Sequence, residues 1–409
     1  MKQILEKRPY IIFLVTSLLG ILAFFTYCII TGNGMSWVIM ANNSDWTMTD
    51  FTRHLVFAKN AEMYYKFGSI ASFPPFCVLL FNLMYKINPS IDTYDYLSMQ
   101  SEPFVIICYT MFIIFSIILL IYSISINLKS RELTFLTSFL IIFSLPFFAG
   151  GIERGNIAML TSVLCLIGLT FKDSDKKLLR IIGIVCLILA VNIKLYPAIF
   201  GILYLYEKRF KEAISFTIGS IILFFASSTF TGGAEGLKIY FGYLFEYSNT
   251  LYTEYMSFKS IGFFIANNIL HLRNYAISFS TIYMIASIII CFVMFFLTKK
   301  EDKWTRIFWS TFLVTYTVSQ SFRYMGCYMI IPAIFLIKQY ENGFSNESLS
   351  EKIFIYIKFL VFGLYFTIPV WVIPNEPNMG MSLTIFIFSY ILIIKQIIQT
   401  INNLKRVNK

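Results

Sequence analysis

Residues Tyr10–Ile30 read YIIFLVTSLLGILAFFTYCII, an apolar run without a charged residue. A helix of about 20 such residues is long enough to cross the hydrocarbon core of a bilayer. The run is too long for the apolar part of a signal peptide and is not followed by an A-x-A-like cleavage site. It therefore predicts a membrane helix that the protein retains.

The rest of the chain has the same character. Of its 409 residues, 57% are hydrophobic and 13% are charged, and a soluble core cannot absorb that much apolar surface. Further apolar segments lie at 71–87, 103–127, 133–150, 156–171, 178–206, 211–230, 275–298, 304–322, 324–338, 352–373 and 380–398. The pattern predicts an all-α polytopic membrane protein with about 11–13 membrane helices, forming one membrane domain over 1–409.

The charge pattern fits a membrane protein better than a nucleic-acid partner. The net charge is +11, but the basic residues gather in short loops, as the positive-inside rule requires. The seven cysteines lie within or beside apolar runs and form no C-x-x-C pair. We therefore expect no nucleic acid, disulfide or zinc site.

Loop charge predicts the orientation. The bases near the N-terminus, FKDSDKKLLR (Phe171–Arg180), EKRFK (Glu207–Lys211) and KKEDKW (Lys299–Trp304) indicate the cytoplasmic side, and the loop 231–274 the outer side. The excess of Ile, Lys, Asn and Phe is typical of a bacterial source. We expect a multi-pass protein of the plasma (inner) membrane with a cytoplasmic N-terminus.

One stretch breaks the alternation. Asp50 and Lys194 are both predicted outside, so an even number of crossings must separate them, yet five apolar segments lie between them. One of these, 71–87 or 133–150, is expected to be re-entrant or broken. Broken helices are tolerated in membranes where they line a cavity.

The first outer loop, 32–72, carries Asp45 and Asp50. Residues with helical spacing there are Asp50, Arg53, His54, Phe57 and Ala61. The spacing predicts a helix along the membrane surface with Asp50 and His54 on one face. A carboxylate at the membrane edge is a candidate general base. The alternatives are a solvated loop whose acids have no task, or a metal pair with too few ligands.

Ionisable groups at membrane depth mark function or a buried pair. GGIERGNIAML (Gly150–Leu160) holds Glu153 and Arg154 between apolar runs, as a helix-capping pair or as the lining of a headgroup cavity. LAVNIKLYPAIF (Leu189–Phe200) holds the lone Lys194, which either snorkels to the surface or binds an anion.

TVSQSFRYMGCYMI (Thr317–Ile330) places Arg323 between two helices at the predicted outer face. Its guanidinium suits phosphate oxygens, although a headgroup anchor would also explain it. Two cations and a carboxylate on one face suggest an anionic lipid substrate and a base, both at the outer leaflet.

Several motifs in order carry a family resemblance. They are TDF at 49–51, YY at 64–65, FPPF at 73–76, ERGNIAML, KLYPAIFGILYLYEKRFK and, more loosely, SFKSIGFF (Ser257–Phe264). The chain resembles family-87 glycosyltransferases, GT-C membrane enzymes that are similar to polyprenyl-phosphate-mannose-dependent mannosyltransferases. The resemblance covers most of a module at 10–265 and leaves 266–409 as variable C-terminal helices. Asn156 departs from the commoner Gln form.

The resemblance implies a GT-C-type fold and a hexosyltransferase. The donor would be mannose or another hexose or pentose on a polyprenyl phosphate, and the acceptor an extracytoplasmic glycan or glycolipid. Asp50, with Asp45 as the fallback, would act as base in an inverting transfer that needs no cofactor or metal. The residues expected to bind the donor phosphate are Lys194, Arg323 and Arg154. Those expected to contact substrate are His54, Glu153, Asn156, Tyr196 and Tyr324.

Two other readings stay open from the sequence. An O-antigen-type polysaccharide polymerase also handles lipid-linked glycans, but its key arginines are expected in large later outer loops. A transporter or flippase of lipid-linked sugars is expected to show repeat symmetry with paired broken helices. Here the polar signals lie mostly in the first half of the chain.

Overall fold

The computed structural model describes residues 6–31, 47–68, 71–87, 95–249, 256–299, 302–318, 321–345, 347–367 and 377–407. Within these ranges the regular structure is helical and no strand occurs, which confirms the all-α prediction. Four helices are long and apolar enough to cross a membrane, or five if one bent pair is counted as a single span. The chain is a multi-pass membrane protein.

The first eight α-helices lead from the N-terminal apolar run to the KLYP region. They are α1 (Ile11–Thr31), α2 (Thr49–Phe57), α3 (Pro75–Tyr85), α4 (Pro103–Ser125), α5 (Arg131–Ile142), α6 (Ala158–Lys172), α7 (Lys177–Ile193) and α8 (Gly201–Tyr206). A 3-10 helix spans Ala61–Phe67, a π-helix spans Pro146–Ile152, and further 3-10 helices span Ser98–Ser101 and Tyr196–Phe200.

The second group completes the bundle. It comprises α9 (Phe210–Ser228), α10 (Gly233–Asn249), α11 (Phe258–Phe264), α12 (Ala276–Leu297), α13 (Lys303–Tyr316), α14 (Ile330–Tyr340), α15 (Leu349–Thr367) and α16 (Pro377–Val407). Short 3-10 helices span Arg273–Tyr275 and Arg323–Met329, and a π-helix spans Ile265–Ile269. Helices α6 and α13 are buried along nearly their whole length and form the centre of the bundle.

Loops that the sequence predicts to be cytoplasmic meet at one end of the bundle. Lys172 Nζ lies 2.6 Å from Glu207, Arg209 Nη1 3.2 Å from Asp173, and Lys303 Nζ 3.5 Å from Asp173. These ion pairs join the segments after α6, after α8 and before α13. We call this the basic end.

The connection between α4 and α5 lies at the basic end as well. The Glu341 carboxylate, just after α14, accepts hydrogen bonds from the backbone N–H groups of Lys129 and Ser130. Helix α5 therefore starts at the basic end, and the π-helix that follows it finishes beside Asp50 at the opposite end. The two pieces are bent by 57° against each other.

Helix α3 explains the odd number of apolar segments. It has only 11 residues, about 17 Å, against a hydrocarbon core of about 30 Å. Asn82 Nδ2 donates to the carbonyl of Ala58 at 2.7 Å, and Phe73, just before α3, lies beside Lys194. Both ends of α3 thus stay with the end that carries Asp50. If the bent pair α5 and Pro146–Ile152 is counted as one passage, four helical passages separate Asp50 from Lys194.

Candidate active site

Helix α2 is fastened to the ERGN loop by its backbone. The N–H of Met48 donates to the carbonyl of Glu153 at 2.8 Å, and that of Asp50 donates to Arg154 at 3.1 Å. The helix predicted from the spacing of Asp50 to Ala61 is present at Thr49–Phe57, while Ala61 begins a separate 3-10 helix. Every residue of α2 except Arg53 is buried. It lies inside the protein against α3 and the 3-10 helix Ala61–Phe67.

Asp50 is held by two side chains of the ERGN loop. Arg154 Nη2 lies 3.0 Å from Oδ1, Arg154 Nε donates to Oδ2 at 3.3 Å, and Asn156 Nδ2 donates to Oδ2 at 2.7 Å. The aspartate is only 7% exposed. Burial by itself would raise the pKa of Asp50, but Arg154 and Asn156 bring it well below its ordinary value. The carboxylate is therefore ionised.

Gly155 allows the loop to bring both partners to Asp50. Its φ of +65° is in the left-handed region, and a Cβ there would lie 2.7 Å from Cβ of Phe51. Only glycine meets both conditions without strain. The next residue, Asn156, also caps α6, because its Oδ1 accepts the N–H of Ala158 at 2.9 Å.

Glu153 is a second buried carboxyl with a different environment. It accepts a hydrogen bond from Thr47 Oγ1 at 3.3 Å. Burial raises the pKa of Glu153 to about 7, although Arg154 and Arg323 act in the opposite direction. A Glu153–Arg154 capping pair was one of the two interpretations of this loop, but Arg154 makes its ion pair with Asp50 instead.

Lys194 is a buried cation surrounded by aromatic rings. It follows α7 in an extended conformation, since Pro197 cannot continue a helix. Its Nζ lies 4.7 Å from the ring centre of Phe73, 5.0 Å from Tyr324 and 5.9 Å from Tyr196. Within the described part of the chain the ammonium has neither a hydrogen bond nor an ion pair, and burial lowers the pKa of Lys194.

Arg323 reaches the same region through the 3-10 helix Arg323–Met329. The guanidinium groups of Arg323 and Arg154 lie 5.1 Å and 5.3 Å from the ring centre of Phe322. The π-helix approaches closely here, because a Cβ on Gly150 would lie 2.7 Å from the backbone nitrogen of Tyr324. This contact brings Arg323 and Tyr324 to the ERGN loop.

His54 lies one turn after Asp50 on α2 and is also buried. Its Nδ1 and the hydroxyl of Tyr64 are 2.6 Å apart, and its ring stacks on Phe73 with centres 3.8 Å apart. Burial and nearby Arg53 hold the pKa of His54 well below its ordinary value, so the ring is neutral. It therefore contributes a hydrogen-bonding group rather than a charge.

Two cavities lie near the KLYP stretch, and Lys194 lines the smaller one. One, of about 370 Å³, is lined by Lys194, Tyr196, Tyr324 and the Phe73–Pro74 pair, among others. The other, of about 840 Å³, is an almost entirely apolar groove between α8 and α9. Leu195 lines both, so the cavity that contains Lys194 and the apolar groove meet at the residue after the lysine.

The structure brings most of the predicted site residues to one end of the bundle. They are Asp50, His54, Glu153, Arg154, Asn156, Lys194, Tyr196, Arg323 and Tyr324. Asp45 lies outside the described residues. In the described ranges, no three His, Cys, Asp or Glu side chains are grouped in a way that could hold a metal ion.

Sequence reasoning missed the rings that connect these polar groups. Phe73 contacts both His54 and Lys194, and Phe322 contacts both arginines. The FPPF motif was a signal for Phe73, whereas nothing in the sequence singled out Phe322. Lys259 was also missed; it is buried three residues after Met256, whose backbone N–H donates to the carbonyl of Ser321.

A family model matches the chain. The model for glycosyltransferase family 87 matches residues 72–319, which is more than half of the chain. The matched range contains Glu153, Arg154, Asn156 and Lys194, while Asp50 and Arg323 lie just outside it. Neither a curated protein nor a solved structure matches the chain.

Proposed function

This chain belongs to glycosyltransferase family 87, and we propose that it transfers one sugar from a polyprenyl-phosphate carrier to a glycan or glycolipid acceptor on the extracytoplasmic side of the plasma membrane. One observation carries the proposal. The buried cation Lys194 lines a cavity that shares Leu195, the next residue, with a larger apolar groove. A polyprenyl phosphate has a charged head and an apolar tail in the same arrangement.

The headgroup argument rests on charge. A buried ammonium without an ion partner is costly unless a ligand supplies the opposite charge. A phosphate monoester in the 370 Å³ cavity would do so. Arg323 and Arg154 are the further phosphate ligands in this proposal, because a guanidinium offers paired donors to phosphate oxygens.

The tail argument rests on the groove between α8 and α9. Ile199, Ile202, Phe216 and Phe224 are among its lining residues. An apolar chain bound in this groove would contact a surface that is itself apolar. The isoprenoid units nearest the phosphate would lie next to Leu195. A free nucleotide sugar has no apolar part that would use such a groove.

In the proposed reaction the acceptor oxygen attacks the anomeric carbon, with inversion at that carbon. A bond forms between acceptor oxygen and anomeric carbon, and the bond from that carbon to the phosphate oxygen breaks. The electron pair leaves with the phosphate, whose charge Lys194 and Arg323 would stabilise. The acceptor's proton passes to a carboxylate oxygen of Asp50.

The ion pair between Asp50 and Arg154 suggests that donor binding precedes proton transfer to Asp50. While Arg154 contacts Asp50, the pKa of the aspartate is too low for an effective base. If the donor phosphate attracts Arg154, the aspartate loses part of its cationic neighbourhood and its pKa rises. Donor binding would thus activate the base. In this proposal His54, Glu153, Asn156, Tyr196 and Tyr324 contact the sugar or the acceptor.

The test uses purified full-length protein and a panel of radiolabelled lipid-linked donors. Polyprenyl-monophosphate sugars should lose label to an added acceptor, and the product should carry one added sugar. Chain growth from diphosphate-linked oligosaccharides alone would indicate a polymerase instead. If vesicles translocate the labelled lipid but the sugar stays on it, the protein is a transporter and the proposal is wrong.

A further inference from the structure

Two lysines from neighbouring helices contact the same aromatic ring at the basic end of the bundle. Lys358 of α15 has its Nζ 3.8 Å from the ring centre of Trp304 and 5.4 Å from that of Phe354. Lys395 of α16 has its Nζ 3.5 Å from the ring centre of Phe354. The two ammonium groups are therefore neighbours.

Neither ammonium makes a direct ion pair. Within the described part of the chain, neither has a hydrogen bond or an ion pair with another side chain, although Lys358 is only 8% exposed. Asp302 acts electrostatically on both lysines and Glu351 on Lys395, each from beyond ion-pair distance. The Asp302 carboxylate makes its close contacts with the N–H and hydroxyl of Thr305 at the start of α13. Cation–π contacts of roughly 0.5–2 kcal/mol offset only part of the cost of burying a charge.

Three other lysines at this end have a polar partner. Lys172 has Glu207 at 2.6 Å, Lys352 has Glu6 at 3.4 Å, and Lys338 donates to Asn127 at 3.0 Å. The protein therefore does provide partners for lysines here. Two adjacent lysines without such a direct partner indicate a binding site for an anion from outside the chain.

The position favours an anion that arrives from the bilayer. Lys395 lies inside the candidate membrane span Ser382–Ile401. One turn before and after it, Ile391 and Ile398 are exposed on the outside of the bundle, on the same face of the helix. An acyl chain could pack on this face while its headgroup reaches the lysines.

We propose that Lys358 and Lys395 bind the phosphate headgroup of an anionic membrane phospholipid at the end of the bundle opposite Asp50. Basic pockets between membrane helices are suited to such headgroups. Trp304 and Phe354 form the walls of the site. The site is separate from the donor site, so the proposal does not depend on the proposed function.

The experiment measures binding of phosphatidylglycerol, compared with phosphatidylcholine, to the full-length protein in mixed micelles, by native mass spectrometry and by thermal shift. Lys395→Gln should weaken phosphatidylglycerol binding about fivefold, and the double variant Lys358→Gln/Lys395→Gln more strongly. The matched control is Lys303→Gln/Lys352→Gln, which removes the same charge from paired lysines at this end. It should bind like the wild type.

Three results would overturn the proposal. The first is a wild type that does not prefer phosphatidylglycerol. The second is an equal loss of binding in the control and in Lys395→Gln, which would indicate a general charge effect. The third is a thermal shift with inorganic phosphate equal to that with phosphatidylglycerol, which would indicate a free-anion site. Lys395 is half-buried, so its single variant gives an answer even if the double variant does not fold.

Discussion

Arg154 makes a buried ion pair with Asp50, with Nη2 3.0 Å from Oδ1, although the two residues are far apart in the sequence. The pair joins the helix after the first apolar run to the loop after the broken helix α5. It explains why a polar segment follows the first membrane helix. The segment folds inward and supplies a carboxylate to a site whose cations come from the ERGN, KLYP and SFRYMG stretches.

The ion pair predicts a strong energetic coupling. Arg154→Met leaves an unpaired buried carboxylate and should lower the free energy of unfolding by about 3–5 kcal/mol. Asp50→Asn/Arg154→Met removes both charges and should recover a large part of that loss. Thermal unfolding of the two single variants and the double variant gives the coupling energy. Simple additivity of the two single effects would contradict a direct pair.

Gly155→Ala should destabilise the protein and abolish transfer. An alanine there combines a left-handed backbone with a clash against Phe51, at a cost of about 2–4 kcal/mol. Gly233→Ala is the matched control, because Gly233 has a φ of +57° but open space around its Cβ. It should cost about 1 kcal/mol from backbone strain alone. Equal losses in the two variants would mean that the contact with Phe51 is unimportant.

Lys194→Gln should separate donor binding from stability. Removing an unpaired buried charge should leave the empty protein at least as stable as the wild type. Loss of a charged contact to the donor phosphate should raise the donor KM roughly tenfold to a hundredfold. Lys66→Gln, at an exposed position in the nearby 3-10 helix, is the control and should change neither quantity. An unchanged donor KM in Lys194→Gln would remove the lysine from the phosphate site.

The pH dependence of stability should show the titration of the Glu153 carboxyl. Its pKa is raised from 4.5 to about 7 in the folded protein, so the folded state keeps a proton that the unfolded state has released. The free energy of unfolding should therefore fall as pH rises from 4.5 to 7 and level off above 7. Glu153→Gln should flatten this slope, whereas the exposed Glu62→Gln should not. Chemical denaturation across this pH range provides the measurement.

Much of the site could be predicted because each polar residue stands alone in an apolar sequence. Asp50, Glu153, Arg154, Lys194 and Arg323 were found because a charge at membrane depth needs a reason. Their pairing could not be predicted, since it depends on where distant segments meet. The Glu153–Arg154 pair looked natural from adjacency, yet adjacent side chains on a tight turn diverge and Arg154 reaches Asp50 instead.

The fold, like the site, could be predicted only in part from the sequence. Composition was enough for the all-helical membrane class, and loop charge grouped the loops that meet at the basic end. The segment 71–87 was counted as a possible crossing because its apolar character matches a membrane span. Its short helix and the bond from Asn82 to Ala58 show that apolar residues there pack on α2. Burial inside protein and exposure to lipid produce the same sequence signal.

The most direct test of the central claim compares Asp50→Asn with the wild type in sugar transfer from a polyprenyl-monophosphate donor. The matched control is Asp95→Asn, which changes an exposed aspartate in the segment that precedes α4. We expect Asp50→Asn to bind the donor but to transfer about 10²–10⁴-fold more slowly, and Asp95→Asn to transfer like the wild type. Full activity in Asp50→Asn would contradict the account and would move the role of base to Asp45.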